Sequence, residues 1–150
     1  MRILKKTIIT ILLILIVNTC NYLIPTIAPL NDLPKPTGIY GVGTQIFEWE
    51  DISRKELFTE TEGDFRKLVV QVWYPTLEQQ KHKHSYIDYP DVRMYPISKR
   101  IDKPEFLIRH VENVKTNSIL NASICKIEPK YPLILFSHGL GGMRMQNTVQ

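Results

Sequence analysis

The chain has 150 residues, of which 43% are hydrophobic and 23% are charged, a composition that excludes a fibrous or disordered protein and favours one globular domain. Its net charge is +4, but no run of lysine and arginine is longer than a pair, so a nucleic-acid partner is not indicated. Two cysteines, Cys20 and Cys125, are too few for a disulfide framework and are expected to stay unpaired.

The first element is the N-terminal segment, residues 1–24, in which the basic start MRILKK leads into the apolar run TIITILLILIV. This order is typical of a signal anchor or a signal peptide. A helix continued to Ile24 would be about 25 Å long, which barely spans a bilayer. The early basic residues predict that the remainder lies outside the cytoplasm, anchored to the membrane or secreted if the segment is cleaved. A buried core helix is the weaker alternative, because those basic residues cluster at one end.

The next elements are a tether and a pair of strands. Residues 25–36 contain four prolines and predict an extended, Pro-rich tether, so that the domain covers residues 37–150. Within the domain, GIYGVGTQIFEWED and DFRKLVVQVWYP alternate in polarity as strands do. The polar stretch DISRKELFT between them indicates a turn, and the two strands are therefore predicted to pair antiparallel.

Three further segments precede the end of the chain. The polar, Tyr-Pro-containing passage from Thr76 to Lys103 predicts a surface excursion without a core element. PEFLIRHVENV has apolar residues at near-helical spacing and predicts a short helix. YPLILF is a continuous apolar run, as expected for a strand buried on both faces of a parallel sheet. Without its neighbouring strands, this run would be left with unpaired edges and exposed apolar surface.

The sequence SHGLGG, from Ser137 to Gly142, follows the apolar run directly. Glycines at the end of a buried strand let the backbone turn sharply and bring N–H groups close to a ligand. Donors fixed in such a place stabilise the oxyanion of a tetrahedral intermediate in acyl transfer. If the loop stabilises an oxyanion in this way, His138 helps to shape the loop and does not act as a general base.

Other functions of these residues remain open. The segment from Gly139 to Arg144 begins like a dinucleotide-binding G-x-G-x-x-G but ends in arginine, and it lacks the Lys-Ser/Thr ending of a P-loop. Ser137 has a glycine two residues after it but a leucine two residues before it, which is half of a nucleophile elbow. His82 and His84 have no third ligand at metal-binding spacing, so we expect no metal site.

PTGIYGVGTQIFEWED, VQVWYP and YPLILFSHGLGG occur in the order seen in the platelet-activating-factor acetylhydrolase family, and the chain from Pro36 to about Arg144 resembles the amino-terminal portion of its plasma, isoform II type. The resemblance implies an α/β protein with an incomplete α/β-hydrolase fold, which here follows the hydrophobic helix predicted from the N-terminal residues. It also implies a serine carboxylic-ester hydrolase that removes short acyl chains from phospholipids without a metal or other cofactor. The oxyanion donor would be the backbone N–H of Leu140, in a loop formed with Ser137, His138, Gly139, Gly141 and Gly142.

The family's nucleophilic serine, acidic residue and histidine all follow this loop, and no Gly-x-Ser-x-Gly occurs in the 150 residues. We therefore expect this chain alone to be an inactive amino-terminal part of a hydrolase. The expected partners are a phospholipid or short-chain ester and the membrane, with no nucleic acid. The alternative is a membrane-anchored binding or remnant protein without catalysis.

Overall fold

The structure, a computed structural model, describes residues 2–27, 33–79 and 83–148. The chain divides into two compact units. The helical unit comprises Met1–Leu33 and Ser85–Thr116, and the sheet unit comprises Pro34–His84 and Asn117–Gln150. In chain order the elements are α1 (Arg2–Ile27), β1 (Gly41–Lys55), β2 (Phe65–Thr76), α2 (Pro90–Arg100), α3 (Glu105–Ile108), a 3₁₀ helix (Arg109–Asn113) and β3 (Ser118–Leu120).

The sheet unit is built on a three-stranded mixed sheet with the order β2-β1-β3. β1 and β2 pair antiparallel, with Phe47 opposite Val70 and Trp49 opposite Leu68, which confirms the predicted pair. Aromatic and β-branched residues favour such cross-strand positions. β1 runs on to Lys55, so the connecting turn begins later than the sequence indicated. A small mixed sheet in a chain that also carries helices fits the predicted incomplete α/β fold.

β3 is a short strand that the sequence did not predict. It pairs parallel with the start of β1, with Val42 opposite Ser118. After β3 the chain stays bonded to the sheet, because Asn121 N–H donates to the Thr44 carbonyl at 2.8 Å and Cys125 N–H donates to the Pro75 carbonyl at 2.8 Å. The segment after β3 is thereby fixed to both long strands.

A glycine and a tyrosine face each other across the β1–β2 pair. Gly43 lies opposite Tyr74, and the Tyr74 hydroxyl donates a 2.7 Å hydrogen bond to the Ala122 carbonyl. A Cβ added to Gly43 would lie 2.9 Å from ring atoms Cδ2 and Cζ of Tyr74. Burial, and to a smaller extent the nearby negative charge of Glu78, raise the pKa of the Tyr74 phenol. The tyrosine ring therefore takes the space that a side chain at position 43 would need.

The prediction of a surface excursion from Thr76 to Lys103 was wrong. This passage contains α2, in which Met94 is only 1% exposed and Ser98 is buried. Pro90 lies in the first turn, where its missing N–H costs no hydrogen bond. Pro96 lies within the helix, where a proline is unusual, and the Tyr-Pro and polar character of the passage had argued against a core element.

The predicted short helix is confirmed, in shortened form, as α3 and the 3₁₀ helix that follows it. Arg109, where the two meet, forms ion pairs with Asp91 at 2.7 Å and with Glu105 at 2.8 Å. The hydrogen bond to Asp91 raises the pKa of the Arg109 guanidinium, and the carboxylates of Glu112, Asp91 and Glu105 add to the effect.

Helix α1 covers the predicted leader and runs past Ile24, so Pro25 to Ile27 of the predicted tether are helical. Residues 28–32 of that tether lie outside the described residues. In the part of the chain that the structure describes, no helix has the length and apolar character needed to cross a membrane.

The apolar run before the SHGLGG loop is exposed in this chain. Leu133, Ile134 and Leu135 are 81%, 88% and 87% exposed, and residues 131–139 have no regular secondary structure. The predicted strand is therefore absent, because among the described residues no strand pairs with this segment. The predicted exposure of its apolar surface is confirmed. We call residues 133–136 the exposed apolar segment.

The exposed apolar segment is expected to drive self-association of a chain that lacks residues 1–30, because four consecutive apolar residues with free backbone groups invite intermolecular pairing. Ile134→Lys should shift this chain toward monomer in analytical ultracentrifugation. Leu57→Lys is the matched control, since Leu57 is 82% exposed in the β1–β2 turn. A sharp, cooperative thermal transition of a soluble monomer without the Ile134 substitution would contradict the prediction.

Candidate functional site

The segment that leads to the candidate loop is anchored at Tyr131. The ring of Tyr131 packs edge-on against the ring of Tyr40, with 6.3 Å between centroids and an angle of 85° between planes. Such edge-to-face pairs are favourable for aromatic rings. Beyond Tyr131 the chain is exposed as far as Gly141, residues 142–144 are half-buried, and Met145 is 2% exposed. The loop from Ser137 to Gly142 thus lies between two residues that pack against the rest of the chain, Tyr131 and Met145.

The glycines of the motif form a tight turn. Gly142 N–H donates a 2.9 Å hydrogen bond to the Gly139 carbonyl, which closes a four-residue turn. Gly141 has a φ of 76°, whereas Leu140 does not have a positive φ. These signs are those of a type II turn, with Leu140 at its second position and Gly141 at the third, where a positive φ is required. The predicted sharp turn is therefore present, and Gly141 is the residue whose conformation demands glycine.

Leu140 presents its backbone N–H away from the turn. The Gly139 carbonyl points into the turn, toward Gly142 N–H. Carbonyl and N–H point in opposite directions across a trans peptide, so the Leu140 N–H points outward. Among the described residues, nothing accepts a hydrogen bond from this N–H, and the Leu140 side chain is 104% exposed. The predicted oxyanion donor is thus a free, outward-facing N–H at the tip of the loop.

Gly142 packs closely against its neighbours in the loop. A Cβ at this position would lie 3.1 Å from the Gly139 carbonyl oxygen and 3.1 Å from the His138 Cβ. It would also meet the side chain of Gln146, whose N–H donates to the Met143 carbonyl in the turn that follows. The loop is therefore backed by the turn beginning at Met143. The sequence did not identify Gln146 or Met145, because neither belongs to a recognisable motif.

Ser137 and His138 are both exposed. The Nδ1 atom of His138 lies 3.1 Å from the Gly139 carbonyl oxygen. Within the described ranges, Ser137 has no hydrogen bond to a histidine, so the alternative in which it is a nucleophile finds no general base beside it.

The metal alternative finds no further donors. In the described part of the chain, no group of three histidine, cysteine or acidic residues could hold a metal ion. His82 lies outside the described residues, and the backbone N–H of His84 donates to the Ser118 carbonyl.

Two matched glycine substitutions test the turn. Gly141→Ala places a side chain at positive φ and should disfavour the turn by about 1–2 kcal/mol, or roughly 5- to 30-fold in its population. Gly139→Ala should have little effect, because nothing lies within 4 Å of the added Cβ. The temperature coefficient of the Gly142 amide proton shift reports its hydrogen bond. Equal coefficients in the two variants would mean that the turn does not depend on the conformation of Gly141.

No curated protein matches the chain. Among solved structures it is similar to a ferulic acid esterase from Streptomyces cinnamoneus, with 20% sequence identity and a TM-score of 0.47, which is too low to assign the fold. That match covers 65% of this chain and 25% of the esterase, so the chain spans about a quarter of that structure's length.

The family comparison is much more extensive. The family model described as platelet-activating factor acetylhydrolase, isoform II, matches residues 26–148, which is most of the chain. The matched region includes both long strands and the whole loop from Ser137 to Gly142. The order of motifs along the sequence predicted this relationship, and the chain belongs to the platelet-activating factor acetylhydrolase isoform II family.

Proposed function

We propose that this protein, in a form that includes a nucleophilic serine, is a carboxylic-ester hydrolase that removes short acyl chains from phospholipids. We call this longer form the nucleophile-bearing form. The loop from Ser137 to Gly142 contributes one donor of its oxyanion hole, the backbone N–H of Leu140. The supporting observation is the type II turn, which directs that unbonded N–H outward. Membership of the acetylhydrolase family supports the ester chemistry.

The proposed mechanism assigns the loop an electrostatic function. Attack of a serine hydroxyl on an ester carbonyl places a negative charge on the carbonyl oxygen. An N–H that is already oriented toward this oxygen stabilises the charge without reorganising during the reaction. Leu140 N–H meets this requirement because the turn directs it outward and no protein group competes for it among the described residues. The second donor and the catalytic residues would come from the sequence that follows the loop in this family.

A non-catalytic protein is the second candidate. No serine in the 150 residues has a glycine two positions before it and another two positions after it, so the chain contains no nucleophile elbow. In this second candidate, the protein carries the loop without a nucleophilic serine. The loop would then serve only in binding.

Hydrolysis of p-nitrophenyl acetate distinguishes the two candidates. We expect no turnover by residues 1–150 alone, and turnover by the nucleophile-bearing form that an organophosphate blocks by reacting with its serine. The matched control is the same form with that serine changed to alanine. Absence of turnover in the nucleophile-bearing form would favour the binding protein, whereas organophosphate-sensitive turnover by residues 1–150 would place the nucleophile within this chain.

We also propose that the sheet unit lies outside the cytoplasm. The support is the basic start of the chain followed by an apolar segment, an order typical of exported proteins. Protease added to intact cells should degrade the sheet unit, while a cytoplasmic marker protein survives. Protection of the sheet unit until the cells are lysed would contradict this location.

A further inference from the structure

We propose that His138 is a positioning residue, whose Nδ1–H holds the Gly139–Leu140 peptide plane and thereby aims the Leu140 N–H. This inference rests on the proposed function for its catalytic consequence, although the structural part does not depend on it. The observation is the 3.1 Å distance between His138 Nδ1 and the Gly139 carbonyl oxygen.

The ring form needed for this hydrogen bond follows from its partner. A carbonyl oxygen only accepts hydrogen bonds, so the contact is a hydrogen bond in the ring forms that carry a proton on Nδ1. The neutral ring protonated at Nδ1 and the doubly protonated ring both meet this condition. Gain of a proton at the other ring nitrogen, Nε2, therefore leaves the contact intact. A general base would behave differently, because its function is lost on protonation.

The Gly139 carbonyl accepts from two directions. Gly142 N–H reaches it at 2.9 Å and His138 Nδ1 at 3.1 Å, so both lone pairs of the oxygen have a partner. Two donors fix the direction of the carbonyl, whereas one donor leaves it free to tilt. Because the peptide is planar, the same two bonds fix the Leu140 N–H on the opposite side. His138 thus acts on the donor through the peptide that carries it.

Gly142 lies against the base of the histidine side chain. A Cβ added at Gly142 would lie 3.1 Å from the His138 Cβ, so glycine at position 142 leaves room for a side chain at position 138.

The test compares His138→Asn with His138→Leu. Asparagine carries an amide N–H at the place of the imidazole Nδ1, whereas leucine fills similar space without a donor. The readout is the ¹⁵N order parameter of the Leu140 amide, recorded on the full 150-residue chain, with Ile134→Lys added to all three proteins where self-association requires it. We expect a rigid amide, near 0.85, in the parent and His138→Asn chains, and a value below about 0.6 in His138→Leu. An unchanged value in His138→Leu, or an equal loss in both variants, would overturn the proposal.

Kinetics of the nucleophile-bearing form extend the test to catalysis. His138→Leu should lower kcat roughly 2- to 10-fold with KM unchanged, the effect of one net hydrogen bond, and His138→Asn should retain most of the activity. If His138→Asn were as impaired as His138→Leu and activity titrated with a histidine pKa, His138 would be a general base and the proposal would fail. If the parent protein had no esterase activity, the order parameters would still decide the positioning function, so the two failures are distinguishable.

Discussion

Leu140→Pro in the nucleophile-bearing form is expected to lower kcat about 10²- to 10³-fold, or roughly 3–4 kcal/mol, because proline removes the N–H that we assign to the oxyanion. In the structure, this substitution is expected to remove the N–H without disturbing the turn. Leu140 occupies the second position of a type II turn, where proline is favoured, and its side chain contacts solvent alone. The turn should therefore survive the loss of the donor.

Leu140→Ala is the matched control for this prediction. It removes most of the exposed side chain and keeps the N–H, so it should retain most of the activity. The Gly142 amide proton should keep its low temperature coefficient in both variants, which would show that the turn is intact. If Leu140→Pro kept its activity with the turn intact, the donor would have to lie elsewhere.

Gly43→Ala is expected to lower the free energy of unfolding of the sheet unit by about 1–3 kcal/mol, the usual range for overpacking. The added Cβ would lie 2.9 Å from two atoms of the Tyr74 ring. The ring cannot move aside freely, because its hydroxyl is bonded to the Ala122 carbonyl. Urea unfolding of the chain carrying Ile134→Lys measures the effect.

Two further proteins complete this experiment. Gly38→Ala is the control for the loss of glycine itself, since nothing lies within 4 Å of its added Cβ, and it should change stability little. In a Tyr74→Ala background, Gly43→Ala should lose most of its cost, because the clashing ring is gone. An equal cost of Gly43→Ala with and without the ring would show that the glycine is needed for another reason.

The parts of the fold that the sequence predicted depend on local information. The β1–β2 pair follows from alternation along two neighbouring stretches, such as Phe47 and Trp49 in β1 and Val70 in β2. The sharp turn at the SHGLGG loop follows from its glycines. Both features are properties of a few consecutive residues, and the structure reproduces them.

The parts that the sequence missed depend on distant partners. β3 has three residues and owes its existence to pairing with β1, far away in the chain. Helix α2 forms despite Pro96, with Met94 buried. The exposed apolar segment, residues 133–136, has strand-like composition but no strand to pair with among the described residues. Composition alone could not separate these cases, because each is decided by tertiary contacts.

The sequence predicted where the candidate site lies in the chain, but it did not predict the conformations and contacts of the individual residues. The motif predicted that Leu140 would supply a backbone donor, but it could not tell which glycine needs a positive φ. In the structure that residue is Gly141, while Gly142 is constrained by packing. The contact of His138 with the Gly139 carbonyl was also hidden, because a side chain's reach to its neighbouring backbone leaves no sequence pattern.

Replacement of the amide between Gly139 and Leu140 by an ester is the most direct test of the loop's function. It exchanges the N–H of Leu140 for an oxygen and keeps the leucine side chain. In the nucleophile-bearing form, kcat with a short-chain ester is predicted to fall about 10²- to 10³-fold. A kcat equal to that of the unmodified enzyme would contradict the assignment of Leu140 as the oxyanion donor and leave SHGLGG as a structural turn.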